Sequence, residues 1–224
     1  MLIVAIPKSA SSSLVASLQL VTGYARSNAE IRRQFLTSAP SPTEYFQLKR
    51  FHSEVAELSD DAVAALVRPQ QIAKLHVVPT DNNLARLREI PKIVLLRPAE
   101  EVVAAYWRGM ETATWTTSVK EIARCKSLEQ WMQTAKDIGL TAELEAFNQH
   151  WKASPGNSLV VSYHQLTTNS DATIASVLKY FNLDAGNVPE LARVNYSRDG
   201  GAGTLVHKRL YFSLKRFWAR VAGT

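Results

Sequence analysis

Short runs that are apolar along their whole length, set between segments with helical spacing, constrain this chain more than any other feature. Leu2-Ile3-Val4-Ala5-Ile6 has no polar residue to turn toward water, so it reads as a strand buried on both faces, as in the middle of a parallel sheet. Pro7 ends the run. After Lys8 come Ser9-Ala10-Ser11-Ser12-Ser13, small residues suited to a tight turn and a helix N-cap, and Leu14, Val15, Leu18 and Val21 then recur at helical spacing. Similar runs predict strands at Ile72–Val77, Lys92–Leu96 and Ser158–Ser162. Helices are predicted from Asp60 or Asp61 to about Val67, from Thr80 or Asp81 past Leu84 and Leu87, over Leu128–Asp137 and Thr141–Trp151, and over Asp171–Phe181. Another starts at Pro98, with Glu100 and Glu101 near its positive end and Val102, Val103 and Tyr106 facing inward. Residues 24–58, which include Ser38-Ala39-Pro40-Ser41-Pro42-Thr43, show no assignable period. The alternation predicts an α/β fold in three layers, a central parallel sheet with helices on both faces, and ligands beyond the carboxyl ends of the strands.

At 224 residues, 46% hydrophobic and 21% charged, the chain suits one globular core. The net charge of +6 is unevenly placed. Residues 205–224 hold Lys208, Arg209, Lys215, Arg216 and Arg220 and no acid, which leaves +1 for the rest. A nucleic-acid groove on the body is therefore not expected. The division expected is a domain over 1–204 and a basic amphipathic helix over 205–224, with Leu210, Leu214, Phe217 and Val221 on one stripe beside Trp218. Such a helix suits peripheral contact with an anionic membrane, or docking on the body or a dimer partner. No apolar run approaches the roughly 18 residues needed to cross a bilayer and no export leader opens the chain, so a cytoplasmic protein is expected. Cys125 is the single cysteine and the five histidines are scattered, so no metal site is expected.

Chemistry concentrates where the first strand meets the first helix. A hydroxyl-rich turn there presents backbone N–H groups and a helix dipole to an anion, and Lys8 adds a cation. The segment lacks the glycines and the Gly-Lys-Ser/Thr ending of the ATPase loop, which disfavours an ordinary kinase or ATPase. Taken alone, it also fits a capped helix start with a solvated lysine.

Pro7-Lys8-Ser9-Ala10-Ser11-Ser12 resembles the Pro-Lys-Ser-Gly-Thr-Thr loop of sulfotransferases that use 3′-phosphoadenosine-5′-phosphosulfate (PAPS), in which it joins a first strand to a first helix and holds the 5′-phosphosulfate. Lys92-Ile93-Val94-Leu95-Leu96-Arg97-Pro98 is similar to the family's second signature, whose arginine grips the 3′-phosphate. Lys74-Leu75-His76 stands in the place of the family's Lys-Thr-His, which supplies the general base. Val160-Val161-Ser162-Tyr163-His164-Gln165-Leu166 resembles the strand that leads to an adenine-contacting Tyr, and Arg198-Asp199-Gly200-Gly201-Ala202-Gly203 the glycine-rich stretch around the 3′-phosphate. The motifs follow one another in family order over most of the chain.

The resemblance implies a P-loop-like nucleotide-binding fold and transfer of a sulfuryl group from PAPS to a hydroxyl or amine, leaving PAP. It implies Lys8 and His76 as catalytic groups and no metal. The donor would lie against Lys8, Ser9, Ala10, Ser11, Ser12, Ser13, Arg97, Tyr163, Arg198, Asp199 and Gly200. The acceptor would be a small molecule, carbohydrate or lipid, with Trp107, Trp115 and Trp131 either lining its pocket or buried as core. The chain departs from the family pattern at Ala10 for glycine, Ser13 for an aromatic, Asp199 for lysine, and Ala105, eight positions after Arg97, for serine. Ser9, Tyr106 and Arg108 are the candidates to replace that last hydroxyl. A phosphoryl-transfer enzyme and a non-catalytic binding protein on the same fold stay open as alternatives. So do plainer roles: His76 as a structural histidine, Arg97 paired with Glu100 or Glu101, and Tyr163 as core.

Overall fold

The computed structural model describes residues 1–27, 43–52, 57–66, 68–111, 120–153, 156–184 and 191. The elements are β1 (Leu2–Ala5), α1 (Ser11–Thr22), β2 (Ala25–Arg26), a 3-10 turn (Thr43–Tyr45), α2 (Phe46–Phe51), α3 (Asp60–Leu66), β3 (Gln71–Leu75), α4 (Asp81–Arg86), β4 (Lys92–Leu96), α5 (Ala99–Glu111), α6 (Lys120–Arg124), α7 (Leu128–Asp137), α8 (Leu140–Ala153), β5 (Ser158–Ser162), α9 (Tyr163–Thr168) and α10 (Ser170–Tyr180). The five strands are all parallel, in the order β2-β3-β1-β4-β5. The fully apolar β1 is the central strand, between β3 and β4, a position that covers both of its faces.

Alternation along the strands builds two cores. Leu2, Val4 and Ile6, with Ala73, Leu75, Val94 and Leu96, face α2, α3, α5, α7 and α8. Ile3, Ala5, Ile72, Ile93, Leu95 and Val161 face α1, α9 and α10. The predicted three-layer α/β architecture is what the chain adopts. Trp131 and Trp151 are fully buried, and each indole N–H finds a carbonyl, of Val103 at 2.8 Å and of Val77 at 2.9 Å. Trp107 is also buried, so of the candidate pocket tryptophans both described ones are core; Trp115 lies outside the described residues.

Several boundaries differ from expectation for physical reasons. β3 ends at Leu75, not Val77, because β1 stops at Ala5 and the Ala5 carbonyl accepts from the His76 ring. The first helix is not capped by a serine: its N-cap is Ala10, while the Ser9 hydroxyl donates inward to the Ile6 carbonyl at 2.7 Å. β2 and α2 arise within the stretch that had no assignable period, β2 as two residues beside β3 and α2 with its first amides received by Glu143 of α8. Among the described residues, no helix is long and apolar enough to cross a membrane. Residues 205–224, expected as a basic helix, lie outside them.

Candidate active site

In a parallel sheet every strand carries its chain out through the same edge, so the segments after β1, β3 and β4 emerge side by side. They bring Lys8, Lys74, His76 and Arg97 together. Lys8 and Ala10 both have left-handed backbones, φ 61° and 62°, which turn the chain sharply between β1 and α1. At Ala10 this is a conformation to which glycine is suited, taken here by a residue with a Cβ. The Leu14 amide donates to the Ala10 carbonyl at 3.1 Å, so the helix begins directly at the turn with its positive end at the strand edge.

Arg97, only 7% exposed, ties this turn to β4: one guanidinium nitrogen donates to the Lys8 carbonyl at 2.6 Å. Its Nε donates to Glu101 at 3.1 Å, and the guanidinium lies 3.7 Å from the centre of the Tyr163 ring. Asn148 Nδ2 donates to the Arg97 carbonyl at 2.7 Å. The ion pair expected within the helix turn is thus present with Glu101, while Glu100 pairs with Lys136.

His76 is 4% exposed, and its Nδ1 lies 2.7 Å from the Ala5 carbonyl. A carbonyl only accepts, so Nδ1 carries the hydrogen, and in the neutral ring Nε2 is the basic nitrogen. Lys74 Nζ, two residues earlier and near the end of β3, is 3.4 Å from Nε2. Burial, then the charge of Lys74, pull the Lys8 ammonium down from 10.5 to about 7. At about 1.4 kcal/mol per pH unit, the protein disfavours charged Lys8 by on the order of 5 kcal/mol. A half-buried lysine, a buried lysine and a buried arginine crowded at one edge form an arrangement that an anion relieves.

Ser9 and Ser11 are buried, and Ser12 and Ser13 half-buried, in or just after the turn. Ala105 is half-buried on α5. Of the groups considered as its replacement, the Ser9 hydrogen is committed to Ile6, Tyr106 is fully buried beneath Lys8 (Nζ 5.6 Å from the ring centre), and Arg108 is exposed. Arg198, Asp199 and Gly200 lie outside the described residues. Two residues were given no role by sequence. Lys74 had a signal, being two positions before His76 in a strand. His52 had none, yet its ring stacks on His76 with centroids 4.8 Å apart and planes 16° from parallel. Among the described residues, no three His, Cys, Asp or Glu side chains gather as a metal set.

No protein-family model matches the chain, and no curated protein sequence does. Its fold matches a crystal structure of a sulfotransferase from Alicyclobacillus acidocaldarius over 97% of this chain and 93% of that one, with a TM-score of 0.50 and 14% identity. A more distant match is retinol dehydratase in complex with androsterone and the inactive cofactor PAP, with a TM-score of 0.43, 12% identity, and coverage of 96% and 79%. The architecture is thus the sulfotransferase fold.

Proposed function

We propose that this protein is a PAPS-dependent sulfotransferase acting on a small-molecule, carbohydrate or lipid hydroxyl or amine. The observation that carries the reading is the convergence of Lys8, Lys74 and Arg97, with His76 among them, at the carboxyl edge of three adjacent strands. The buried Lys74 and Arg97, the half-buried Lys8 and the left-handed backbones of Lys8 and Ala10 fit a donor with anionic groups at both ends. When bound, PAPS supplies the activated sulfuryl group. Lys8, with residues 9–13, would hold its 5′ end, and Arg97, Tyr163 and the 198–200 stretch its nucleoside 3′-phosphate end. Lys8, once charged, would stabilise the negative charge that grows on the departing oxygen. His76 would accept the acceptor's proton at Nε2, its other nitrogen being held by Ala5, with Lys74 giving up its contact as the acceptor arrives.

Calorimetry with PAP tests this. The wild type should bind at micromolar strength or better, and Arg97→Ala should weaken binding by at least about tenfold through loss of a charge-assisted contact. Equal affinities remove the role of Arg97. Stronger thermal protection by ATP-magnesium than by PAP would favour phosphoryl transfer instead, and PAP binding without any transfer from labelled PAPS would make the protein a binding module.

A further inference from the structure

A cavity of about 270 Å³ opens beside the site and is lined by Glu44, Tyr45, Pro79, Thr80, Asp81, Leu84, Ala146 and His150. Its place follows from chain connectivity. Pro79 is three residues past His76, so their Cα atoms are at most about 11 Å apart. Tyr45, also in the lining, precedes the short helix whose C-cap residue, His52, has its ring stacked on His76. The cavity therefore lies at the same strand edge as the cations, yet its chemistry is the reverse of theirs. Among its lining residues there is no lysine or arginine, and two carboxylates, Glu44 and Asp81, stand exposed at its rim.

Pro79, Leu84 and Ala146 supply an apolar wall. Tyr45 is 3% exposed, and its hydroxyl meets His150 Nδ1 at 3.2 Å, which gives the wall one fixed polar point. Burial, then the charges of Glu44 and Glu143, hold the Tyr45 phenol above its ordinary range, as expected beside negative charge. Glu143 itself is turned away to receive the amides of Gln47 and Leu48. A small apolar-walled space with two carboxylates at its rim complements a compact carbon frame that bears a positive charge.

We infer that this cavity binds a small organic cation, the ammonium group between Glu44 and Asp81 and the carbon frame against Pro79, Leu84 and Ala146. Its role as the seat of the far end of the acceptor rests on the sulfotransferase reading; the binding itself does not.

Three molecules with one frame test it: cyclohexylamine, cyclohexanol and cyclohexanecarboxylate, titrated into the full chain and followed by ligand-observed NMR. Cyclohexylamine should bind about tenfold more tightly than cyclohexanol, the scale of two partly exposed ion pairs, and the carboxylate more weakly than both. The double substitution Glu44→Gln, Asp81→Asn should erase that order while leaving the melting temperature and PAP affinity unchanged. Equal binding of amine and alcohol, or an amine preference that survives the double substitution, overturns the inference. Amine binding by a chain that does not bind PAP keeps the cation site and overturns its role in the acceptor.

Discussion

Raising the pH of a PAP titration from 8 to 9 should weaken binding about tenfold, and the cause should be a single proton on Lys8. In the folded chain Lys8 titrates near 7 where an ordinary lysine titrates at 10.5. Between those values the unfolded chain holds a proton that the folded chain has lost, so this group's contribution to stability is least favourable below pH 7 and improves as pH rises toward 10.5. An anion beside Lys8 reverses the preference and returns its pKa toward 10.5. At pH 8 free Lys8 is about nine-tenths neutral, so binding should take up about 0.9 proton. Monoester phosphate is already ionised at that pH, since its second pKa is about 6, so the ligand adds little to the count. The assay is calorimetry in Tris, HEPES and Tricine at pH 8, where the slope of apparent enthalpy against buffer ionisation enthalpy reads the proton number. Lys8→Met keeps an unbranched side chain only one atom shorter and the same left-handed backbone demand, and it should abolish both the uptake and the pH dependence. An uptake below about 0.3, or one unchanged in Lys8→Met, would refute the placement of the anion beside Lys8.

Four other outcomes are expected. Ala10→Gly should stabilise the fold by about 0.5–1 kcal/mol, because relief of the left-handed Cβ, worth about 1–2, exceeds the added chain entropy of glycine; denaturant melts measure this. His76→Asn should lower transfer from labelled PAPS by about 10²–10⁴-fold with PAP affinity unchanged, and a matched loss of affinity would instead mark a structural histidine. Trp151→Phe should cost about 2–3 kcal/mol by leaving the Val77 carbonyl without its donor and opening space in the core, seen as a fall of several degrees in Tm. Gly156→Ala should destabilise as strongly, because an added Cβ would lie 2.3 Å from the Arg88 carbonyl oxygen that also receives the Asn157 amide.

Much of the architecture is legible locally. A strand buried on both faces is apolar along nearly all of its length, so Leu2–Ala5 and Ile93–Leu96 disclose themselves, and Thr80 marks a helix start with a side chain that does accept the expected amide. The turn after β1 is half legible. Its position and Lys8 can be read, but the hydroxyls suggested a side-chain cap, and only the folded chain shows Ser9 turned to Ile6 and Ala10 forced left-handed. Where a segment takes its shape from distant partners, local pattern is silent: Ala25–Arg26 is a strand because β3 lies beside it, and Phe46–Phe51 is a helix whose first amides need Glu143.

Residue types and their chain order thus determined the α/β alternation, the cationic turn and the family resemblance, because burial on both strand faces and a helix start leave their mark within a few neighbouring positions. Distances between remote residues leave no such mark. The stacking of His52 on His76, the charge of Lys74 bearing on Lys8, the grip of Arg97 on the Lys8 carbonyl 89 positions away, and the acidic cavity three residues beyond His76 were decided only when parallel strands brought remote residues to one edge.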